Sequence, residues 1–259
     1  MSKQTFLTSY FILFLTVQLF GQAAGGSDAS YELRDLIDLP TAGTLKKGNL
    51  GVSFYALPFG VLTSKIELGI IKNFSLGLSF GGANLIGSGK PDFYKRPGIL
   101  GKFRFYTEAR SFPSLTIGFN TQGKGQFIDS LDRYEIKSPG IYLASSKNYK
   151  FLGYLSFHGI INYSLEKKDN DENINFGAGI EKTIGPTISI ILEYDLALND
   201  NSNNSLGKNN GYLNAGLRWS ASYGLTIGLD FKNLLDNKNH SINDGVERTL
   251  FIEFVRDIY

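Results

Sequence analysis

Few side chains in this sequence could carry catalysis. There are two histidines, His158 and His240, and no cysteine. A catalytic base needs a nucleophile and an orienting acid within hydrogen-bond reach, and no serine–histidine–acid pattern is visible around either histidine. Because His158 falls on the polar parity of an alternating segment, we interpret it as a hydrogen-bonded interior histidine. Without cysteine the sequence offers no disulfide, thiolate metal site or acylated lipoprotein cysteine.

Acidic side chains give two further candidates. Glu193 and Asp195 share one face of an extended segment at a spacing of ~6–7 Å, which lies within the range that glycosidase carboxylates use; we favour an interior ion-pair network. Residues 169–172 (DNDE) could bind Ca²⁺ or bridge lipopolysaccharide through divalent cations, because hard cations prefer oxygen ligands. They lack the spacing of a calcium loop, and we interpret them as a solvated loop. The sequence therefore predicts no catalytic residue, no metal site and no cofactor.

The segment 187–198 (TISIILEYDLAL) shows which element positions these acids. Isoleucine, leucine and tyrosine alternate with Ser189, Glu193 and Asp195, which fall on the opposite parity. Such alternation predicts an extended strand. A strand of ~10 residues rises ~34 Å and, when tilted, spans the ~25 Å apolar band of an outer membrane. Two carboxylates on its polar face would be costly in a dry core and are easily hydrated in a wet lumen. We therefore predict a transmembrane β-strand.

The same alternation recurs along residues 49–259. It predicts an all-β fold, a single antiparallel transmembrane β-barrel of about twelve strands. Tight turns, such as one predicted at 148–149, alternate with long polar loops, such as those predicted over 82–97 and 123–139. The first hairpin is the exception. This alternation places the short turns and both mature termini in the periplasm. The mean hydropathy of −0.09 is too polar for a bundle of membrane helices, and 30 Gly, 14 Tyr and 20 Phe favour β structure with many turns. The net charge of +2 gives no reason to expect nucleic acid.

Charged residues collect on one face of the predicted strands. On the lipid face, Arg or Lys at the bilayer midplane would cost ~2–4 kcal/mol each, so this segregation predicts a polar network in the lumen. Its predicted members are Lys65, Glu67, Lys102, Arg104, Glu108, His158, Glu181, Glu193, Asp195, Arg218, Asp230 and Lys232. Glycines on the same face indicate a crowded interior, and we expect a partly filled lumen with little free pore. Tyr142, Tyr154 and Tyr212 share this face and could stack on sugars.

The first 48 residues do not follow the strand pattern. Lys3 precedes an apolar run over 6–20, and small residues follow it, which predicts a secretory signal peptide over residues 1–23. The apolar run is shorter than the ~20 residues that a membrane helix needs. Residues 24–48 form a lead segment without a two-residue period. This segment either enters the barrel lumen, lies across its periplasmic mouth, or forms a simple periplasmic tail.

Several stretches of the chain resemble the YjbH-like outer-membrane proteins, which are linked to exopolysaccharide production. They are 36–45 (LIDLPTAGTL), 81–87 (GGANLIG), 112–119 (FPSLTIGF), 122–123 (QG) and 142–147 (YLASSK). The core of the first stretch consists of Leu36, Ile37, Asp38, Leu39, Pro40, Thr41, Ala42 and Gly43. The resemblance implies an outer-membrane β-barrel with a role in polysaccharide production or export. It supplies no active-site residues.

Together these features predict a non-enzymatic barrel in the outer membrane of a Gram-negative cell. On the resemblance, it assists production or export of an exopolysaccharide. The alternative is a general small-solute channel or a structural barrel, and a barrel enzyme acting on lipid or glycan is a third, weaker hypothesis. The expected partners are outer-membrane lipids and lipopolysaccharide, and also a polysaccharide or the proteins of an export complex. Nucleic acid is not expected.

Overall fold

The computed structural model describes residues 25–27, 29, 31–202, 205–222, 224–238 and 245–258. The predicted signal peptide and His240 lie outside the described residues. Within those ranges no helix has the length and apolar character needed to cross a membrane. The described part of the chain forms fifteen strands. They are β1 (Asn49–Leu57), β2 (Val61–Ile71), β3 (Phe74–Ala83), β4 (Asp92–Phe93), β5 (Gly98–Tyr106), β6 (Ser114–Asn120), β7 (Lys124–Ile128), β8 (Arg133–Ile136), β9 (Gly140–Lys150), β10 (Tyr154–Tyr163), β11 (Asn175–Ile184), β12 (Ile188–Asp195), β13 (Tyr212–Ser222), β14 (Leu225–Lys232) and β15 (Glu247–Asp257).

Twelve of these strands close into an antiparallel barrel, which confirms the predicted fold class. Each strand pairs with the next one around the barrel, in the order β1, β2, β3, β5, β6, β9, β10, β11, β12, β13, β14 and β15. The last strand returns to the first, with register from Asn49↔Asp257 to Ala56↔Leu250. Closure removes the free sheet edges. The short β4 adds to β3, and β7 and β8 form a separate hairpin.

The two faces of the barrel wall differ in chemistry as the alternation predicts. On β12, Ile190 and Leu192 are 45% and 46% exposed, whereas Ser189 and Glu193 are fully buried. The same pattern of exposed apolar and buried polar residues runs through β11. On β15, Leu250 and Ile252 are exposed and Thr249 and Glu253 are buried, although Arg248 is exposed and Val255 is buried. The outer face is therefore an apolar belt suited to lipid, and the polar face points into the lumen.

The connections sort by length between the two ends of the barrel. Short turns at 72–73, 107–113, 151–153 and 185–187 lie at the end where β1 begins and β15 finishes, here termed the turn end. The opposite end, the loop end, carries the long connections, which are 84–97, 121–139, 164–174, 196–211 and 233–246. As expected from the sequence, the β1–β2 connection is the short exception at the loop end.

Some local predictions were wrong. The β9–β10 turn lies at 151–153 rather than at 148–149, because Asn148 and Tyr149 continue the ladder opposite Ser156 and Leu155. The connections 84–97 and 121–139, predicted as loops, contain β4 and the β7–β8 hairpin.

The prediction that Glu108 belongs to a lumen-facing strand position was also wrong. A register shift between Arg104 and Tyr106 changes the parity at the end of β5. Glu108 therefore lies in the following turn, where its carboxylate accepts a hydrogen bond from the backbone nitrogen of Asn148 at 2.9 Å. It belongs to the rim of the turn end.

Candidate functional site: a plugged lumen

Residues 31–48 occupy the barrel lumen and are termed the plug. Ten of these side chains are buried against strands from all around the wall. They are Leu33, Arg34, Leu36, Ile37, Leu39, Thr41, Ala42, Thr44 and Leu45, with Pro40 at the same level of burial. The plug reaches β1 at the turn end, where Gly48 N donates to Gly69 O at 2.9 Å. The lead segment therefore takes the first of the three positions that the sequence left open.

The plug folds back on itself in a tight turn. Asp35 and Pro40 form an isolated antiparallel bridge. Inside it, Leu36 N donates to Leu39 O at 2.8 Å, and Thr41 N donates to Arg34 O at 2.9 Å. The N–H groups of residues 37–39 at the tip of the turn are left to bond with the wall.

Glu193, at the middle of β12, receives these N–H groups. Its carboxylate accepts hydrogen bonds from the backbone nitrogens of Ile37, Asp38 and Leu39, each at 2.9 Å. Asn214 Nδ2 donates to the other carboxylate oxygen at 2.8 Å. Hydrogen bonds from N–H groups to an ionised acceptor are among the stronger ones in proteins, so this single wall residue fixes the tip of the plug.

Ion pairs hold the first arm of the turn on the opposite side of the lumen. Arg34 pairs with Glu253 and lies 3.3 Å from Glu67. Asp35 pairs with Lys65, and Lys102 lies 3.4 Å from the same carboxylate. Arg34 and Glu67 are almost fully excluded from solvent, and buried charges of this kind persist only when they are paired.

Two further cations bind the region of the turn itself. Lys232 Nζ on β14 lies 2.8 Å from the Asp38 carboxylate. Arg218 on β13 pairs with Asp230 and donates from Nη2 to the carbonyl oxygen of Leu36 at 3.0 Å. The plug thus contacts β2, β5, β12, β13, β14 and β15 through charged wall residues.

The second arm of the plug is bound mainly through its backbone. Arg104 Nε and Thr116 Oγ1 donate to the carbonyl oxygen of Ala42 at 3.1 and 2.8 Å. The backbone nitrogen of Ala42 donates to Ser146 Oγ at 3.0 Å. Arg104 also pairs with Glu32 at the start of the plug.

Apolar packing adds to the polar contacts. Plug and wall side chains share one buried cluster, formed by Leu33, Leu36, Ile37, Leu39, Tyr142, Ala144, Ile160 and Ile191. Opposite the leucines, Gly177 and Gly179 on β11 provide room. A Cβ at Gly179 would lie 2.6 Å from Leu36 Cδ1, and one at Gly177 would overlap Leu39 Cδ1. The glycines on the lumen face were predicted to indicate a crowded interior. Two of them, Gly177 and Gly179, leave the space that plug leucines occupy.

The β7–β8 hairpin forms a second barrier at the loop end, termed the loop cap together with the loops that bind it. Arg133 is fully buried and donates to Asp169 at 2.7 Å and to Asp200 at 2.5 Å. Lys137 Nζ lies 2.8 Å from Asp169. Lys238 joins Glu135 of the hairpin to Glu247 of β15. These contacts tie the hairpin to three loops and to the wall.

Little space remains between the two barriers. A cavity of about 20 Å³ lies between the plug and the loop cap, lined among others by Asp38, Lys137, Asp195 and Tyr212. A second cavity of about 10 Å³ lies beside Arg34 on the plug. A cavity needs ~10–15 Å³ of such volume to hold one water molecule. Each of these two cavities therefore holds about one water molecule, and buried plug side chains occupy the lumen around them.

The predicted polar network falls mostly at this site. Apart from Glu108, all its predicted members are buried. Seven of them contact the plug directly, and these are Lys65, Glu67, Lys102, Arg104, Glu193, Arg218 and Lys232. Asp230 bonds Arg218, and Asp195 instead bonds Asn175 and Ala197. Glu181 is buried in the wall.

Glu193 and Asp195 do not form a hydrolytic pair. The Glu193 carboxylate accepts hydrogen bonds from the plug backbone. Asp195 Oδ1 accepts hydrogen bonds from Asn175 Nδ2 at 2.7 Å and from Ala197 N at 2.9 Å. Tyr142 and Tyr212 are buried, against the plug and the Asp200 carboxylate respectively. Neither presents a face to a sugar in this conformation.

His158 has a neighbour that the sequence did not reveal. Its Nδ1 lies 2.8 Å from Ser146 Oγ across β9 and β10. The same hydroxyl accepts the backbone N–H of Ala42, so the plug covers the pair and blocks a substrate carbonyl from reaching it. Within the described ranges, no three His, Cys, Asp or Glu side chains are placed to share a metal ion.

Two side chains of the acidic loop 169–172, Asp169 and Asp171, are buried in the loop cap. Asp169 is buried between Arg133 and Lys137. Asp171 accepts hydrogen bonds from the backbone nitrogens of Asn201 and Ser202 at 2.7 and 2.9 Å. Burial raises the pKa of Asp171, but these N–H donors outweigh it, and the net pKa lies below the ordinary value. The interpretation as a solvated loop was therefore wrong for Asp169 and Asp171, since the cationic partners of Asp169 are far away in the sequence, whereas Asn170 and Glu172 are exposed as expected.

No family model matches the chain, and no curated protein matches it. Among solved structures, it is similar to the KdgM porin, with a TM-score of 0.51 and 11% identity over 80% of this chain and 98% of that chain. It is also similar to the NanC porin, with a TM-score of 0.46 and 9% identity over 80% and 98%. A further similar structure is the outer membrane protein Omp33 of Acinetobacter baumannii, with a TM-score of 0.45 and 7% identity over 81% and 96%. The likeness to KdgM shows the fold: a closed antiparallel barrel of twelve strands, as in an outer-membrane porin.

Proposed function

We propose that this chain is a non-enzymatic outer-membrane barrel of the channel type, closed at rest by its plug and loop cap, which passes small polar solutes when both move. Three features support this proposal. The fold is that of a porin, the outer face is apolar, and short turns and long loops are sorted between the two ends. In bacterial barrels the short turns face the periplasm, so both ends of the barrel domain lie on that side.

The observation that carries the proposal is the chemistry of the contact between plug and wall. Wall residues such as Lys65, Glu193 and Lys232 meet the plug through ion pairs and hydrogen bonds. Water can replace contacts of this kind when the plug leaves, because hydrated charges carry no desolvation penalty. The vacated lumen would then be a charged, water-filled passage as in porins.

Planar-bilayer conductance of the full chain tests this proposal. The open variant carries Arg34→Gln, Asp38→Asn and Arg133→Leu, which remove anchors from both barriers. The matched control carries Lys46→Gln and Lys47→Gln, two exposed plug cations. We expect the wild type and the control to stay closed and the open variant to show stepwise conductance.

Two results would contradict the proposal. A large steady conductance of the wild-type chain would show that plug and loop cap do not close the lumen. An open variant whose plug becomes accessible to protease, yet which conducts no ions, would leave a structural barrel as the function.

We also propose, as a second candidate, that the solute is a surface polysaccharide or its fragments, as the resemblance to the YjbH-like proteins implies. One observation favours it: two of the stretches that carry the resemblance, 36–45 and 142–147, meet in space. Residues 36–43 form the turn and second arm of the plug. Tyr142, Ala144 and Ser146 from the stretch 142–147 contact it.

Exopolysaccharide yield after deletion of the gene tests the second candidate. We expect a lower yield, which the wild-type chain restores. An unchanged yield after deletion would overturn it without affecting the channel proposal, which is tested by conductance.

A further inference from the structure

Two adjoining concavities lie on the outside of the barrel near the loop end, apart from the plugged lumen. The first, termed the basic cleft, has a volume of about 390 Å³ and includes Lys95, Arg96 and Lys167 in its lining. The second, termed the apolar groove, has a volume of about 520 Å³. Thr121 and Leu165 line both concavities, so the two form one continuous surface.

The apolar groove lies on the lipid-facing wall of β5, β6 and β9. Its sides are Phe103, Ile117 and Ile141, which are 46%, 50% and 53% exposed. Glycine backbone contributes to its lining at Gly101, Gly118 and Gly140.

The groove has the length of a fatty-acyl segment. It begins at Leu165 and Thr121 near the loop end and reaches Phe103, four residues along β5 from Ile99 of the cleft. Four residues of a strand correspond to roughly 13 Å. This length accommodates about ten methylene groups of an extended acyl chain.

The basic cleft lies directly above the groove, at the edge of the apolar belt. Arg96 is exposed and makes no ion pair with any residue that the structure describes. Lys95 pairs with Asp129 at 2.8 Å and Lys167 with Glu172 at 3.0 Å. Both pairs are well exposed, and exposed pairs are weak, so these lysines can exchange their partners for a stronger anion.

One carboxylate in the cleft is turned away from the solvent. Glu166 accepts hydrogen bonds from the backbone nitrogens of Tyr134 and Ser138 at 3.1 and 3.0 Å, and burial raises its pKa. Asp132 remains as the other acid in the lining. Because Lys95 and Lys167 are paired with Asp129 and Glu172 outside the lining, Arg96 is the lining cation that has no ion-pair partner among the described residues.

We propose that the basic cleft and the apolar groove together bind one phosphorylated glycolipid of the outer leaflet, of the lipid A type. Its phosphate lies against Arg96 and Lys167, and one of its acyl chains lies in the groove. Guanidinium and ammonium groups are the usual protein ligands of phosphate. The arrangement of charge at the membrane edge and an apolar track below it matches a lipid better than a soluble anion. The site is independent of the channel proposal and requires only that the loop end faces outward.

Binding of hexa-acylated lipid A to the detergent-solubilised full chain, counted by native mass spectrometry, tests this site. The cleft variant carries Arg96→Gln and Lys167→Gln, and the groove variant carries Ile117→Trp. Matched controls on the opposite side of the barrel are Lys208→Gln with Arg248→Gln, and Ile190→Trp. Heat-dependent gel mobility confirms that each variant is a folded barrel.

We expect one tightly retained lipid A in the wild type and about tenfold weaker binding in the cleft variant and in the groove variant. Both controls should bind within about twofold of the wild type. Lipid A without its phosphates should bind the wild type as weakly as lipid A binds the cleft variant.

Three outcomes would overturn the site. Equal weakening in the controls would mean general attraction of lipid to the whole belt. Equal affinity for dephosphorylated lipid A would remove the role of the cleft. Displacement of lipid A by inorganic phosphate, with the groove variant unaffected, would leave a phosphate site without a lipid.

Discussion

Glu193 Oε2 lies 2.9 Å from the backbone nitrogen of Leu39. The same oxygen also receives the N–H groups of Ile37 and Asp38, so one side chain of the wall restrains the whole turn of the plug. We predict that Glu193→Gln, which removes the charge and puts an amide NH₂ among N–H donors, raises the open population of the plug roughly 30-fold, or about 2 kcal/mol. The rate of hydrogen exchange at the amides of residues 36–41 measures this open population.

Asp195→Asn is the matched control for that prediction. Asp195 lies two residues further along β12 on the same face but bonds Asn175 and Ala197 instead of the plug. Exchange at residues 36–41 should be unchanged in this variant. If both substitutions accelerated exchange equally, the effect would belong to the barrel and not to the plug anchor.

Arg34→Leu should release the first arm of the plug. It leaves Glu67 and Glu253 without the cation that lies between them, and loss of one partner from a buried ion pair costs about 3–5 kcal/mol. Limited proteolysis of residues 31–48 should become faster by orders of magnitude. Adding Glu67→Gln and Glu253→Gln removes the stranded charges and should restore much of the protection; a triple variant as sensitive as Arg34→Leu would contradict this account.

A larger side chain at Gly177 should displace the plug without unfolding the barrel. In Gly177→Val the new methyl groups occupy the space of Leu39 Cδ1, and overpacking of this kind costs about 1–3 kcal/mol. We expect faster hydrogen exchange at the plug and unchanged heat-dependent mobility of the barrel. Leu39→Ala in the same chain should restore part of the protection, and a failure to do so would argue that Gly177 acts through its own strand.

The two barriers should act in series. Arg133→Leu leaves Asp200 buried without its cation and Asp169 with Lys137 alone, at a cost of about 3–5 kcal/mol to the loop cap. We predict little conductance for Arg133→Leu alone or for Arg34→Gln with Asp38→Asn alone, and clear conductance for all three together. Full conductance from either set by itself would show that only one of the barriers seals the lumen.

Acid should loosen the loop cap. The net pKa of Asp171 is held below its ordinary value by N–H donors, so its carboxylate stabilises the folded cap above the unfolded pKa of about 4 and loses this contribution as the pH falls below it. The protection of the amides of residues 199–206, which is the exchange rate of the unfolded chain divided by the measured rate at the same pH, should therefore fall between about pH 5 and pH 3. In Asp171→Asn the exchange should already be faster at pH 7, with a smaller change on acidification.

Strand periodicity was enough to predict the barrel, because a wall between lipid and a polar lumen imposes a two-residue alternation. It also placed residues such as Lys65, Glu193 and Arg218 on the inner face. It failed at Glu108 because the register of β5 shifts after Arg104 in its pairing with β6. Such a bulge cannot be recognised from the alternation of residues within one strand.

The partners of the inner face could not be predicted in the same way. The contact between Glu193 and Leu39 joins residues 154 positions apart, and neither has a sequence neighbour that indicates the other. The absence of a two-residue period in residues 24–48, together with lumen glycines such as Gly177, was the available signal that something fills the interior. The ion pairs of Arg133 could not be predicted in this way, because Asp169 and Asp200 belong to two other loops.

The plug continues directly into β1 at Asn49, with Gly48 bonded to Gly69 beside the first wall strands. A released plug is therefore a tethered inhibitor, whose local concentration near its own binding groove stays in the millimolar range for a short tether. Reclosure is a unimolecular event that dilution cannot slow. If the barrel opens as we propose, the stimulus must persist for as long as the passage is needed, because the plug stays tethered beside its binding site.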